Sequence, residues 1–580
     1  MKKILLLSLT LLITGNLIIA QELGYSQKLI KKIHKAKSAS VNPDAHTSNH
    51  LWLTPLLVQA VTSNEILDEK VMNLLSPLEG RPELPNEQIG FSEYFDFHYT
   101  LTGEWAVDPT DENNNGVPDF VENMALIFDE VYSKNLQQGY TVPPGDNGAG
   151  GSDFYDIYIG GPEFVTYGLY GFVAPETKVG DNPNSPDITE TEAYSSWMGM
   201  NYDYSWAEDP EKAVAVTAAH EFLHAVQMGY NTEMGVWIME MTAAWIEDVH
   251  FPGYDDNLQY LTGVFGTPDI ALNLDDDDDD NGLGNHWYST WIFTQYMSEQ
   301  TGDVIVKNIF ERTVTDWDLV AIDNELQANW DTDFETMFSQ YLIANIVLSN
   351  DAQYSPFNYS RAEVYENYID ENGGVNVEGS IVYDGSPVTY NSDTDGNGRL
   401  MRLSADYIAL QPNGNFKVTL TPENFEDEID FSLLKLNSNT ETLMIQPSVE
   451  VGNTYEISIG DFADFDTYLL LVGRYDPAIE DTMAANYSIS VDISSSIQTN
   501  MQSNLISIGP NPTTDYITIT NANSNNDFDI KIISLSGKVV YAKKHLLNNS
   551  RVSLADFKSG EYVIQINIEG NTLFKKIIKK

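Results

Sequence analysis

Apolar residues in the first half of the chain recur with two different periods. Apolar and aromatic runs over 95–101, 153–160 and 195–204 have strand character. Longer stretches with apolar residues three and four positions apart predict helices, at 116–136, 210–228, 236–248, 286–300 and 333–348. Because the strands come first and the helices follow, we expect residues 89–350 to form one α+β domain.

The hydrophobic pattern changes near residue 372. From there to residue 497, short alternating runs such as NFKVTLTP and TYLLLVG are separated by turn residues. This pattern predicts a β-sandwich accessory domain over 372–497. The polar stretch 494–504 is typical of a linker, and further alternating runs predict a small all-β module over 505–580.

The N-terminus has the pattern of an export signal. MKK is followed by the apolar run ILLLSLTLLITGNLIIA, which ends at the small residue Ala20, so residues 1–20 are expected to be a signal peptide. A membrane anchor is the alternative, but Thr14, Gly15 and Asn16 interrupt the run. No later stretch approaches the roughly 20 apolar residues of a bilayer span, so no transmembrane segment is expected after signal removal. Residues 21–88 are either a small N-terminal region or a propeptide, and both interpretations stay open.

Charge and cysteine content restrict the function classes. The net charge of −56 argues against nucleic-acid binding, which needs clustered Lys and Arg, and suits hard cations such as calcium. The end of the chain has the opposite sign of charge, because residues 505–580 contain ten Lys or Arg and six Asp or Glu, a net charge of +4. There is no cysteine, so a metal site must use histidine and carboxylate ligands.

The stretch TAAHEFLHAVQ, residues 217–227, carries the strongest candidate chemistry. His220 and His224 are four residues apart, so on a helix they project from one face and can ligate one zinc ion. Glu221 lies beside them, where a carboxylate can take a proton from a zinc-activated water. Two buried structural histidines on an amphipathic helix are the alternative interpretation.

A catalytic zinc also needs a third protein ligand and an open position. Glu240, on the next predicted helix, lies between Trp237 and Trp245. A carboxylate in that apolar setting is costly unless it is paired or bound to a metal. Glu240 is therefore the expected third ligand, and Glu247, two turns further along, is the alternative.

The two motifs together, HEFLH and then WIMEMTA, resemble the gluzincin branch of zinc metallopeptidases. The resemblance implies a zincin-like α+β catalytic domain in which His220, His224 and Glu240 hold zinc and Glu221 is the general base. The stretch 92–345 is also similar to a family of secreted bacterial metalloproteases, through FDFHYT, NNNGVPDFVE, YDIYIGG, HEFLHAVQ and WIMEMTAAWIEDV. A protein or peptide is the implied substrate.

Two further features are expected near such a site. Gluzincins often place a Tyr or His donor downstream for the oxyanion, and NHWYSTWIF offers Tyr288 and His286, of which we favour Tyr288. A surface aromatic at a helix start is the alternative. The strand at 195–204 is expected to be an edge strand that binds an extended peptide through backbone hydrogen bonds.

A second metal is indicated by DENNNGVPDFVE, residues 111–122, which matches the EF-hand loop template residue for residue. The template predicts calcium, whereas an Asn-rich turn that caps the following helix is the alternative. DTDGNG, residues 393–398, is only the first half of such a loop, and the acidic run 275–280 is interpreted as a solvated loop. The predicted calcium ligands are Asp111, Asn113, Asn115, Val117 through its carbonyl, Asp119 and Glu122.

The last module resembles the type IX secretion system sorting domain. GPNPTTDYITI, DIKIISLSGKVVY, SGEYVIQI and the lysine-rich end carry the resemblance, which implies that residues 505–580 engage the secretion machinery. An ordinary adhesion module is the alternative. Together the features predict a secreted or cell-surface zinc metalloendopeptidase with three domains. A calcium-dependent surface adhesin or glycan-binding protein with a relic protease fold is the rival function.

Overall fold

A computed structural model of the chain describes residues 53–62 and 80–580, with gaps at 163, 165–168, 275–285, 413, 425–428, 438–441, 460–464, 476–483, 494–505, 522–527, 535–538, 548, 556 and 569–570. The expected signal peptide, the acidic run 275–280 and the linker 494–504 lie outside the described residues. The chain forms two compact units, residues 1–264 with 273–333 and residues 265–272 with 334–580. The boundary at 333 falls inside the stretch 89–350 that the sequence analysis assigned to one domain.

A five-stranded mixed sheet forms one layer of the first unit, in the order β1-β2-β3-β5-β4. Strands β2, β3 and β5 run parallel, whereas β1 and β4 pair antiparallel with their neighbours and form the two edges. The strands are β1 (Gln88–Phe91), β2 (Phe95–Tyr99), β3 (Tyr155–Ile159), β4 (Gly171–Gly180) and β5 (Ala193–Met200).

The expectation that 195–204 forms an edge strand is wrong. Strand β5 pairs with β3 on one side and with β4 on the other, so the edge belongs to β4. The sequence pattern hides β4, because only its first half is buried and its second half is polar. Pro175 lies in the middle of β4, and proline within a sheet is tolerated mainly at an edge.

Two antiparallel helices at the centre of the first unit carry the HEFLH and WIMEMTA motifs. Helix α3 (Pro210–Tyr230) begins with Asp209, whose side chain accepts a hydrogen bond from the Lys212 amide, and with Pro210 in the first turn. From Val214 to Tyr230 every residue of α3 is buried. The ring of Phe222 packs edge-on against Phe95 of the sheet, with centroids 5.3 Å apart. Polar side chains on α3 therefore lie inside the protein, between the sheet and helix α4 (Val236–His250).

The remaining helices lie before and after this pair along the chain. One of the predicted helices, at 286–300, forms two helices instead of one. It is divided at Thr290, whose hydroxyl donates to the Trp287 carbonyl. In chain order the other helices are α1 (Leu53–Thr62), α2 (Asp119–Gln138), α5 (Leu261–Gly266), α6 (His286–Ser289), α7 (Trp291–Thr301), α8 (Val304–Thr313), α9 (Asp318–Asn329), α10 (Phe334–Val347) and α11 (Ala362–Glu371). None of the helices in the described part of the chain is long and apolar enough to span a membrane.

The second unit contains two five-stranded sheets that share one hydrophobic core. The sheet orders are β11-β10-β14-β8-β6 and β12-β13-β9-β15-β7, and the core takes buried side chains from both, among them Leu433 and Ile489. The strands are β6 (Gly379–Val382), β7 (Val388–Asn391), β8 (Ser404–Gln411), β9 (Phe416–Pro422), β10 (Asp430–Asn437), β11 (Thr442–Pro447), β12 (Val449–Val451), β13 (Thr454–Ile459), β14 (Thr467–Arg474) and β15 (Tyr487–Ile493).

The C-terminal part is entirely β among its described residues. Its two sheets have the orders β16-β17-β20 and β19-β18-β21-β22, and Ile519 and Ile564 are among the residues of its separate core. The strands are β16 (Ile506–Gly509), β17 (Tyr516–Asn521), β18 (Phe528–Ser534), β19 (Val539–Leu546), β20 (Ser550–Ser553), β21 (Gly560–Ile568) and β22 (Asn571–Lys579). The chain is thus a mixed α/β protein of several domains with an all-β end.

Candidate metal centre

Three of the residues singled out by sequence converge in the first unit. His220 and His224 from α3 and Glu240 from α4 each offer one ligand atom, and these atoms lie within 4.8 Å of one another. All three side chains are buried. Within the described part of the chain, these three residues are the group of histidine and carboxylate side chains whose ligand atoms lie close enough to share one metal ion.

The spacing of these atoms fits a single zinc ion. The Nε2 atom of His220 is 3.3 Å from one oxygen of Glu240, and Nε2 of His224 is 3.4 Å from the other. Two ligands bound to zinc at about 2.0 Å with a tetrahedral angle lie about 3.3 Å apart. Neither Glu240 oxygen has a hydrogen bond of good geometry within the described part of the protein, although both are buried. A carboxylate left in that state is stabilised by a cation between it and the imidazoles.

The outer nitrogens of the two histidines are held by other side chains. His220 Nδ1 is 2.7 Å from Glu247, and His224 Nδ1 is 2.8 Å from the Gln227 side-chain oxygen. The Gln227 amide nitrogen donates to the Met239 carbonyl and to Thr242, which assigns its oxygen to the imidazole. With each Nδ1 engaged by its outer partner, each Nε2 faces Glu240 and is the nitrogen that a metal would ligate once it carries no proton.

Glu247 was the alternative third ligand, and it occupies a different position. It contacts the outer nitrogen of His220, on the side away from Glu240. That contact orients the imidazole, in the way that carboxylates support metal-bound histidines. The sequence thus indicated that Glu247 is chemically significant, but its contact with His220 and the contact of Gln227 with His224 appear only in the structure. The position of Gln227, three residues after His224 on one helix face, was the signal that could have found it.

The pKa shifts of these side chains indicate that the centre is stabilised by a positive charge on or between the imidazoles and Glu240. Burial opposes a charge on His220, but Glu240 and Glu247 outweigh it and hold its pKa well above the ordinary value. Burial lowers the pKa of His224 to about 4, so this imidazole is neutral near pH 7. Burial also opposes ionisation of Glu240, yet His224, His220 and the nearby Tyr288 hydroxyl lower its pKa below the ordinary value. A metal ion bound there would supply the same positive charge in place of the proton on His220.

Glu221 is buried beside the centre, on the same helix. Burial raises its pKa to about 7, and the positive charge of His220 opposes that rise only in part. One oxygen of Glu221 accepts a hydrogen bond of 3.2 Å from the Thr54 hydroxyl. A carboxylate with a pKa near 7 can both accept and return a proton at neutral pH.

Tyr288 and His286 both lie on the short helix α6 and are buried. The ring of Tyr288 stacks on His220 with centroids 5.6 Å apart, and the ring of Tyr260 lies 5.0 Å from it. Burial raises the pKa of Tyr288 well above its ordinary value, so its hydroxyl keeps its proton and can donate it in a hydrogen bond. The structure thus brings Tyr288 to the centre, which a surface aromatic at a helix start would not do.

The loop at residues 111–122 folds around the carboxylate of Glu122. The side-chain amides of Asn113 and Asn115 both donate to it, at 2.7 and 2.5 Å. Asp111 accepts from the amides of Asn115 and Gly116, and Asp119 accepts from the Glu112 amide. Gly116 has φ of 95°, which only glycine adopts readily. Val117 donates its amide to the Asn115 side chain. The six predicted calcium ligands therefore lie in one compact turn at the start of α2.

The comparison with protein-family models gives a match in the C-terminal part of the chain. Residues 507–580 match the secretion system C-terminal sorting domain. The comparison with curated proteins finds no match. The sorting domain indicates that the protein is exported by the type IX secretion system to the cell surface or beyond, and that its C-terminal part interacts with the secretion machinery.

Proposed function

We propose that this protein is a secreted zinc-dependent metalloendopeptidase of the gluzincin type, with a zincin-like catalytic domain. The observation that carries the proposal is the convergence of His220, His224 and Glu240 around a point where a cation would be stabilised. The buried Glu240 oxygens face the Nε2 atoms of the two imidazoles at 3.3 and 3.4 Å, a spacing that suits one tetrahedral zinc.

A zinc ion bound there would polarise a peptide carbonyl and lower the pKa of a water molecule. Glu221 takes the proton of the attacking water onto its carboxylate and returns it to the leaving amine. Its pKa of about 7 matches both steps near neutral pH. His220 and His224 keep their Nε2 lone pairs directed inward because Glu247 and Gln227 hold their outer nitrogens.

The oxyanion that forms on the substrate needs a second donor. We favour Tyr288 for this role over His286, because its ring packs against His220 and its hydroxyl keeps its proton. The proposed substrate is a protein or peptide. We also propose that the loop at 111–122 binds calcium, because the side chains of Asp111, Asn113, Asn115 and Glu122 lie in one compact turn.

Casein hydrolysis by the purified chain tests the function, with zinc content measured by elemental analysis. Glu221→Gln is expected to retain zinc and to lose about 100-fold or more of the activity. Glu211→Gln, an exposed position in the first turn of the same helix, is the matched control and should behave as wild type. If wild type and Glu221→Gln hydrolyse casein equally and zinc is absent, the protease proposal fails and the adhesin remains.

A further inference from the structure

Helix α1, near the N-terminus, lies at the candidate centre. Thr54, in its first turn, donates its hydroxyl to Glu221 at 3.2 Å and accepts a hydrogen bond from the Val173 amide at 2.9 Å. Val173 belongs to the edge strand β4, and its partner across the sheet is Met198 of β5. One side chain of α1 thus occupies both the proposed general base and a backbone donor on the open edge of the sheet.

The contact between α1 and the rest of the first unit is mainly apolar. Leu56, Leu57 and Val58 are each at most 4% exposed. Val61, near the end of the helix, is 43% exposed. Burial of three aliphatic side chains holds the helix in place, because their apolar surface is removed from water. The hydrogen bonds of Thr54 are therefore made by a docked helix.

We propose that α1 is an autoinhibitory segment that keeps the enzyme latent through the Thr54 hydroxyl. The inference rests on the proposed function, and it selects the propeptide interpretation of residues 21–88 for this helix. While Thr54 donates to Glu221, that carboxylate is engaged where it would otherwise receive the proton of a water. While Thr54 accepts from Val173, a peptide cannot pair with that amide on the β4 edge. Removal of α1 frees both groups together.

Gly171 explains why α1 and Glu221 can share this narrow space. A Cβ atom at Gly171 would lie 2.8 Å from Thr217 and 3.0 Å from Glu221. The start of β4 therefore packs against α3 with no room for a side chain at Gly171. Val173, two residues later on the same strand, lies near Glu221, because Thr54 hydrogen-bonds to both. A segment docked on this part of β4 reaches Glu221 with a side chain as short as threonine.

The test compares two threonines of the same helix in the full chain. Thr54→Val removes the hydroxyl at the centre and keeps the side-chain volume. Thr62→Val removes a hydroxyl that bonds the Val58 carbonyl of its own helix at 2.9 Å. Leu57→Asp, which places a charge at a buried position, displaces the helix and serves as the second variant. Three quantities are measured: the casein hydrolysis rate, zinc content and hydrogen–deuterium exchange of the Val173 amide.

Hydrogen bonds to charged groups are strong enough that losing one should raise the hydrolysis rate of Thr54→Val about tenfold or more. Leu57→Asp should raise it at least as much. In both variants the Val173 amide should exchange faster, whereas Thr62→Val should match wild type in every measurement. Zinc content should be equal in all four proteins.

The outcomes separate this inference from the function on which it rests. If Thr54→Val and Leu57→Asp leave both the rate and the Val173 exchange unchanged, α1 does not occupy the site and the inference is overturned. If no protein binds zinc or hydrolyses casein, the proposed function fails and the inference of latency fails with it. Faster Val173 exchange in that case would record only that α1 docks on β4.

Discussion

Replacing Gln227 by methionine isolates the support of one proposed zinc ligand. Gln227 is fully buried, and its side-chain oxygen accepts from His224 Nδ1 at 2.8 Å. Methionine fills a similar volume without an acceptor. The two groups that lose the Gln227 amide have other contacts, because Thr242 still donates to Ile238 at 2.7 Å and also to the Met239 carbonyl. The hydrogen bond that is lost without replacement is therefore the one from His224 Nδ1 to the Gln227 oxygen.

The expected magnitude follows from that single loss. A buried donor left without a partner costs about 1–3 kcal/mol. His224 can avoid the cost by moving its proton to Nε2, but that nitrogen then cannot ligate the metal. Either way zinc binding is weakened by about 10- to 100-fold, which is also the usual effect of removing a partner of a metal-bound histidine.

Competition with a chromophoric chelator at pH 7.5 measures the zinc Kd directly. Gln295→Met is the matched control, because Gln295 bonds Trp245 and Glu299, away from the three ligands. Gln227→Met should raise the zinc Kd about 10- to 100-fold, and Gln295→Met should leave it unchanged. A Gln227→Met protein that is folded and binds zinc within twofold of wild type would refute the role assigned to Gln227.

Three other changes test separate parts of the structure. Burial raises the pKa of Asp406 from 3.8 to about 7, so the folded second unit favours the protonated form. The free energy of unfolding should therefore be highest below pH 4 and fall by about 4 kcal/mol as the pH rises through 7. Asp406→Asn should remove most of this pH dependence, as urea titrations at several pH values can measure. Arg81→Leu removes one of the two ion-pair partners of the buried Asp156, which keeps His98, and should destabilise the first unit by about 1–3 kcal/mol; an unchanged free energy of unfolding contradicts this. Calcium at 100 times its Kd should stabilise wild type by about 2.7 kcal/mol but not Glu122→Gln, as thermal unfolding can check.

Local sequence spacing was sufficient to predict the centre of the candidate site. His220 and His224 depend only on helical periodicity, which predicts a helix at 210–228 where α3 runs from Pro210 to Tyr230. Glu240 was predicted because a carboxylate between two tryptophans needs a partner. These inferences use neighbours within one or two helices, where the chain's own geometry fixes the relative positions of side chains.

Contacts between distant segments could not be predicted in this way. Thr54 and Glu221 are 167 residues apart, and no periodicity relates them. Strand β4 was missed because its buried half is short, and β5 was mistaken for an edge because its pairing depends on β4. The role of Glu247 also required the structure, since the sequence placed it on a similar face to Glu240 without distinguishing the two nitrogens of His220.

The central claim is that His220, His224 and Glu240 hold one zinc ion. Diffraction data collected from crystals above and below the zinc absorption edge test it most directly. We expect one anomalous peak about 2.0–2.1 Å from both Nε2 atoms and about 2.0–2.2 Å from a Glu240 oxygen. Crystals grown with stoichiometric zinc that give no peak between these three side chains, or a peak held by other residues, would contradict it.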